Sequence, residues 1–331
     1  MNKFIRNITF ILVFCGAYAN AQDMHFTQFY ASPLYLNPAF AGSNACARLN
    51  LTYRNQWPGI SKTYRSYMVA GDHYLQQYNL GIGMLVANDV AGTGNLRTTY
   101  INPQLAYEAK FGRDFGMRFG IQPGVTMRSV DFNNLIFADQ IVNGGGASTV
   151  EIPKANVTFF DMGAGVLAYS SSYWGGISLY HLNRPNQSLL GNEDVPMPIR
   201  YTFHGGHKFV LNEEEKNLLQ RKSVTAAVHY RGQKEFDQFD IGFYYMQSVM
   251  TLGMWYRGLP LKHYKPGYAN NDALAFVVGV KTDRFNVGYS YDVTISKLAG
   301  ASKGAHELNI SYQFCVPKKK KKRIEVACPK F

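Results

Sequence analysis

Along most of the chain, apolar and polar residues alternate one by one. In 47–56 (ARLNLTYRNQ), Ala47, Leu49, Leu51 and Tyr53 fall on one side, and Arg48, Asn50, Thr52 and Arg54 on the other. The same alternation runs through VTAAVHYR (224–231), FNVGYSYD (285–292) and ELNISYQF (307–314). A period of two separates these sets on the two faces of a strand, whereas a helix with its period of 3.6 cannot. The pattern predicts strands near 45–57, 62–75, 78–88, 95–110, 115–129, 159–170, 173–182, 198–210, 222–231, 236–247, 248–258, 272–282, 284–294 and 306–314. Many of these are longer than the roughly five or six residues usual in soluble sheets. About nine to eleven residues cross a bilayer at a tilt, and an even strand number suits a single-chain bacterial barrel. The fold class expected is therefore all-β, a transmembrane outer-membrane β-barrel of about fourteen antiparallel strands.

The connections support this reading. HYLQQYN, GRDFG, SSS, QS and TDR are tight, and between them come NDVAGTG, the 130–158 segment, NRPNQSLLGNEDVPMP, GLPLKHYKPGYANND and TISKLAGASKGA. Short turns on one side and long loops on the other are the habit of outer-membrane barrels. WPGISKT and RGQKEFD fit as modest outside loops, while NEEEKNLLQRKS (212–223) breaks the rule as a longer turn containing one helical turn. An even count places both termini in the periplasm. The division expected is a signal peptide at 1–21, a periplasmic lead segment at 22–44, the barrel at 45–314 and a basic periplasmic tail at 315–331.

The chain's two ends refine the picture. MNKFIRNITFILVFCGAYANAQ has a basic start, a short apolar core and small residues at Ala19 and Ala21, the pattern of a Sec signal peptide. Phe14 before Cys15 argues against a lipoprotein signal. The formal charge is +12, and the tail holds much of it, with Lys318, Lys319, Lys320, Lys321, Lys322, Arg323 and Lys330 against Glu325. An exported chain does not meet the genome, so this run is no nucleic-acid clamp. It reads either as a solvated end or as a dock for an acidic periplasmic surface, peptidoglycan or a periplasmic protein. Cys315 and Cys328 bracket the run, and a disulfide there would be worth roughly 3 kcal/mol by loop-closure reasoning. Cys46 is expected as a lone buried thiol.

Aromatic residues make up 15% of the chain and charged residues only 17%, which suits an amphipathic wall with an aromatic outer surface. Nothing in the sequence calls for a cofactor, a metal or a catalytic site. His204 and His207 lie three apart on one strand and face opposite sides, so they are no metal pair. His229 falls on the polar face. Gly81-x-Gly83 and Gly163-x-Gly165 lie in strands, so they are not phosphate loops; they make room for lumenal side chains or bend the wall.

The lead segment and first hairpin carry a combination of motifs. QDMHFTQFYASPLYLNPAFAG (22–42) supplies Asn37, Pro38, Ala39 and Gly42, and YRNQWPGISKTYRSY (53–67) supplies Arg54, Gln56 and Trp57. LGIGMLVANDVAG (80–92) adds Gly81, Gly83, Asp89 and Gly92, and LGMWYRG follows at 252–258. In this order the chain resembles the PorP/SprF family of outer-membrane proteins from gliding and type IX-secreting Bacteroidetes. The resemblance implies an outer-membrane barrel partnered with other type IX components and with a secreted surface adhesin that it helps deliver or hold. A small-solute pore is the competing class. Asn37-Pro38 reads as a turn leading into the first strand, or else as a plug touching the lumen. Arg54 and Gln56 share the polar face of the first strand and should point into the lumen, with Trp57 at the rim.

Overall fold

The computed structural model describes residues 23–44, 46–60, 64–92, 94–112, 114–132, 135, 140–141, 156–189, 194–212, 222–265, 268–314 and 326. Fourteen strands form one closed antiparallel barrel. They are β1 Arg48–Gln56, β2 Tyr64–Leu75, β3 Leu80–Ala91, β4 Leu96–Phe111, β5 Phe115–Ser129, β6 Asn156–Ser170 and β7 Tyr173–Tyr180. They continue as β8 Arg200–Val210, β9 Lys222–Gln233, β10 Phe236–Gln247, β11 Met250–Lys265, β12 Tyr268–Lys281, β13 Phe285–Thr294 and β14 Ala305–Gln313. Each strand pairs with its chain neighbours, and β14 closes onto β1 from Arg48↔Gln313 to Gln56↔Ala305. Closure pairs every strand on both sides through the middle of the wall, which is the condition for strands to live in hydrocarbon. Among the described residues no helix is long and apolar enough to cross a membrane.

Alternation fixes which face is which. Leu51, Tyr53, Tyr67, Val69, Ile82 and Met84 point outward and are exposed. Arg48, Asn50, Thr52 and Arg54 point inward and are buried. The wall is thus apolar outside and polar inside, the inverse of a soluble sheet, and period two serves either arrangement.

The barrel has a terminal end, where β1 begins and β14 finishes, and an opposite mouth. At the terminal end the connections are short, such as 76–79, 171–172 and 248–249, while the mouth carries the long ones, such as 181–199 and 295–304. Two segments depart from expectation. GLPLKHYKPGYANND does not form a plain loop; β11 and β12 extend through it as a two-stranded ribbon with register shifts at Gly258, His263 and Lys265. RGQKEFD is likewise drawn into β9 and β10, leaving a turn at Lys234-Glu235. The helical turn expected within 212–223 falls largely outside the described residues.

The larger correction concerns the lead segment. It is not a periplasmic leader below the barrel; residues 23–44 lie inside the lumen. A short helix α1 (Pro33–Leu36) and a 3₁₀ turn (Pro38–Phe40) give it local shape. Its apolar side chains supply the barrel's core. Phe29, Tyr30, Leu36 and Phe40 pack with Trp174, Tyr244 and Trp255, and Met24, Phe26 and Leu34 with Met68, Leu85 and Tyr100. The chain crosses the lumen, with Asp23 bonded near the mouth and Gly42 near the terminal end. The expected grouping of both termini at one end therefore describes the strand ends and not Asp23.

Candidate functional site

Irregular backbone is tolerated at membrane depth only where its polar groups find partners. The wall provides them residue by residue. Asn50 Nδ2 donates to the Ala31 carbonyl at 2.9 Å and Gln104 Nε2 to Leu34 at 2.8 Å. Tyr180 OH donates to Tyr35 at 3.0 Å, Ser178 Oγ to Leu36 at 2.8 Å and Arg118 Nε to Ala39 at 2.8 Å. Five carbonyls of the lead segment are thus taken by β1, β4, β5 and β7. Near the mouth the roles reverse. The N–H groups of Thr27 and Gln28 donate to the two oxygens of Glu307 at 2.7 and 2.9 Å.

The motif residues meet at this contact. Asn37 does not simply precede the first strand; it is buried in the lumen, its Oδ1 capping the Ala39 N–H at 2.9 Å. Its Nδ2 reaches the carbonyls of Val166 on β6 and Ile177 on β7, both at 3.1 Å. The turn and the lumenal plug are therefore one structure, with Pro38 and Ala39 forming the turn it caps. Gly42 adopts a left-handed φ of 65° that favours glycine. Its N–H donates to Asp72 Oδ2 at 2.8 Å, and Asp72 is held by Arg48 at 2.9 Å.

Wall glycines admit this close approach. A Cβ on Gly81 would fall 1.8 Å from the Ala41 oxygen, one on Gly120 2.2 Å from the Ala39 nitrogen, and one on Gly165 2.1 Å from Asn37 Oδ1. The sequence reading that Gly81 and Gly165 make room for lumenal groups holds, and the occupant is the lead segment.

Arg54 points into the lumen as expected, and it anchors a buried charge network. Its guanidinium meets Asp292 at 2.9 Å and Glu307 at 3.1 Å. Arg257 meets Asp292 at 3.0 Å and Asp240 at 2.9 Å, and His229 lies 3.0 Å from Asp240. Thr27 Oγ1 sits at the centre, accepting from Arg54 at 2.7 Å and Arg257 at 2.9 Å while donating to Asp292. A second cluster joins Asp23 to His181 at 2.8 Å and Arg200 at 2.9 Å, with Asp161 on the other imidazole nitrogen at 2.8 Å. Burial pulls the His181 imidazole down, but the flanking Asp23 and Asp161 outweigh it and hold it up at about 9. Burial likewise works against the Asp23 carboxylate, yet His181 and Arg200 hold it far below the usual range. At the terminal end Arg118 pairs with Glu108 at 3.0 Å, and Glu108 also accepts from Tyr74 and Tyr169.

The remaining sequence candidates separate. Asp89 accepts from Ser66 Oγ at 2.5 Å on the neighbouring strand and does not join the lead segment. Gln56 and Trp57 line an open vestibule of about 510 Å³ at the mouth, whose floor includes His25 of the lead segment. Trp57 has a left-handed φ of 59° and packs edge-on against Tyr64. His204 is buried and His207 exposed, on opposite faces as the spacing requires. Lys318, Lys319, Lys320, Lys321, Lys322, Arg323, Cys315 and Cys328 lie outside the described residues. Within the tail only Val326 is described, and it is buried in the lumenal cluster with Phe29 and Trp174, not hanging below the barrel. Cys46 is not a free thiol; it is disulfide-bonded, to a partner outside the described residues.

The sequence reading passed over Thr27, Gln28, Asp240, Arg257, Asp292, Glu307, Glu108 and Arg118. One signal was available, since an ionisable residue on a membrane-spanning segment is costly and needs a partner.

Comparison with solved structures gives low identity over most of the barrel. The P. putida toluene transporter TodX is 10% identical, covering 84% of this chain and 92% of that one at a TM-score of 0.48. A Pseudomonas aeruginosa FadL homologue is 12% identical, covering 86% and 94% at 0.45. A Rh. blastica porin mutant is 8% identical, covering 81% and 99% at 0.35. No curated protein matches the chain. One family model does match, over residues 18–312, that of the type IX secretion system membrane protein PorP/SprF, and the chain, an outer-membrane barrel by fold, belongs to that family.

Proposed function

We propose that this barrel holds or helps deliver a secreted surface protein of the adhesin kind, alongside other type IX components, and does not conduct solutes. The observation that carries the reading is the lead segment. It fills the lumen and has its backbone groups bonded to the wall on both sides of the barrel. A plug held this way leaves the barrel a rigid platform with an open concavity at the mouth, the vestibule. In this reading the terminal end faces the periplasm and the mouth faces outside, so the vestibule is where a surface protein would be engaged. The lysine run, Lys318 to Lys322 with Arg323, would dock an acidic periplasmic surface such as peptidoglycan or a periplasmic protein.

The test is a gentle detergent pull-down of the tagged protein from outer membranes, with a version ending after Phe314 alongside. The expected result is co-recovery of a large secreted surface protein or type IX components, with periplasmic partners lost only from the shorter version. Single-channel recording in planar bilayers should be silent. A barrel recovered alone that conducts steadily would overturn the holding reading in favour of a solute pore.

A further inference from the structure

The vestibule contains a guanidinium that no carboxylate of the described residues meets in a direct ion pair. Arg257 on its floor is matched by Asp240 and Asp292. Arg231, which lines the same cavity together with Glu235, Asp237 and Asp272, bonds none of them directly. Its Nη1 donates to the Met24 carbonyl and its Nη2 to Gln238 Oε1, each at 3.2 Å, and both acceptors are neutral. Among the described residues no carboxylate forms an ion pair with it. Beside it, His25 Nε2 is buried without a partner. A half-buried guanidinium bonded only to neutral oxygens offers charge-assisted bonds to an entering anion. Such bonds to carboxylates are often bidentate and roughly twice as strong as neutral ones.

The backbone around the vestibule says what kind of molecule would carry that carboxylate. The β10–β11 ladder stops at Asp240↔Arg257. Beyond it, Phe236–Phe239 pair only with β9, and β11 from Gly258 pairs only with β12. The wall therefore splits at the mouth, and Phe236, Gln238 and Gly258 on the two sides of the split all line the vestibule. Two facing strand edges not paired with each other suit an added extended chain. Amide side chains of Gln56, Gln233, Asn270 and Asn271 add donors and acceptors of the same kind. At about 510 Å³ the cavity suits a short peptide segment and not a folded domain.

We infer that the vestibule is a receptor for a carboxylate on an extended polypeptide segment, with Arg231 bonding the carboxylate and the β10/β11 split receiving the backbone. This rests on the holding reading and names the feature of the secreted partner that would be held. An acidic saccharide carries the same group, but it has no use for strand edges.

The experiment measures binding to the full-length, detergent-solubilised protein by calorimetry. The probes are N-acetyl-Thr-Gly-Thr-Asp with a free terminus, its neutral counterpart N-acetyl-Thr-Gly-Thr-Asn-amide, and trigalacturonate. The acidic peptide should bind at least tenfold more tightly than the neutral one. Arg231→Gln should lose at least tenfold for the acidic peptide only, and Arg231→Lys should recover part of it, with heat-dependent gel mobility confirming that each variant folds. Equal affinity for the two peptides overturns the inference even if no variant folds. So does trigalacturonate binding without peptide binding, or unchanged binding by a folded Arg231→Gln. A pull-down separates the two levels. If wild type and Arg231→Gln recover the secreted partner equally, the receptor inference fails and the holding reading stands. If wild type recovers none, the holding reading fails while the peptide comparison still decides the vestibule.

Discussion

The two ends of the lumen are built from the same wall and the same lead segment, and they differ in how their charges are settled. At the terminal end Arg118 answers Glu108 and Arg48 answers Asp72, and both guanidinium groups are buried. Backbone lies against backbone there, with Gly81 and Gly120 giving up their side-chain space. At the mouth Arg54 and Arg257 are equally well matched, yet Arg231 bonds only neutral oxygens and His25 Nε2 has no hydrogen-bond partner among the described residues. Satisfied polar groups rigidify a lumen, whereas an unpaired one calls for an explanation of its own. The sealed end is the barrel's structure and the open end its candidate function.

The strongest way to break this contrast is to deny the plug its space. Gly120→Leu puts a side chain where even a Cβ would lie 2.2 Å from the Ala39 nitrogen, and backbone cannot yield as a flexible side chain can. Overpacking of ordinary cores costs about 1–3 kcal/mol, and a backbone clash sits at or above that range. The expected outcome is a displaced lead segment, read as new protease cleavage within 23–44 and as conductance in planar bilayers where wild type is silent. Gly300→Ala, with no atom within 4 Å of its added Cβ, is the control. A silent, protease-resistant Gly120→Leu barrel would mean the lead segment does not hold the lumen closed.

Next in size is Arg54→Met. It leaves Glu307 buried without its ion-pair partner, and breaking a buried pair typically costs about 3–5 kcal/mol. Asp292 keeps Arg257, so the damage should be local. Thermal unfolding followed by gel mobility should shift down for the single variant. It should recover in part for Arg54→Met with Glu307→Leu, since an apolar pair replaces a charged one at lower desolvation cost. A double variant no better than the single would show that Glu307 is held mainly by the Thr27 and Gln28 N–H groups.

These residues also mark the limit of what the sequence reveals. The strands were legible because lumen and lipid impose alternation at every position, so β5 and β10 run over the residues read from the pattern alone. The even count, the tight turns and the inward aim of Arg54 follow from the same rule. The position of the lead segment was not legible, because Thr27 bonds Asp292 across 265 residues and no local period records that. The β11–β12 ribbon was hidden by Gly258, Pro260, Pro266 and Gly267, which read as loop punctuation; the described part instead pairs through register shifts. The family motif singled out Asn37 and Gly42, both of which lie in the lead segment's contacts with the wall, but it does not say what they touch.

A smaller effect follows from the clamp on Asp23. His181 is held at about 9 against an ordinary 6.5, so its contribution is complete below 6.5 and is lost as pH rises through 9. Asp23 is shifted the other way, so its contribution is present above the ordinary 3.8 and fails only in acid. The groups facing His181 are Asp23 and Asp161, with Arg200 and Tyr35 behind Asp23. Raising pH from 7 to 10 should therefore loosen the start of the lead segment at the mouth by on the order of 3 kcal/mol, and leave the terminal end unmoved. Hydrogen exchange of residues 23–30 against 38–44 across that range reads the difference. His181→Gln should abolish the pH step; a step that survives would assign it to another group.

The smallest effect concerns the tail and tests the terminal end without disturbing the barrel. Cys46 is bridged, and the chain's other cysteines are Cys15, Cys315 and Cys328. The N–H of Phe314 donates to the carbonyl of Ala47, the residue after Cys46, at 3.0 Å. Val326 is packed in the lumenal cluster. Peptide mapping without reductant is expected to recover Cys46 joined to Cys315 or to Cys328, in place of the Cys315–Cys328 loop that spacing alone suggests. The first linkage would staple the two closing strands and leave the lysine run free to reach outward. The second would hold Val326 in the lumen and fold that run back against the sealed end. Cys46 recovered as a free thiol would return the tail to the pairing read from its sequence, and would leave Val326 as the one described residue that draws it inside.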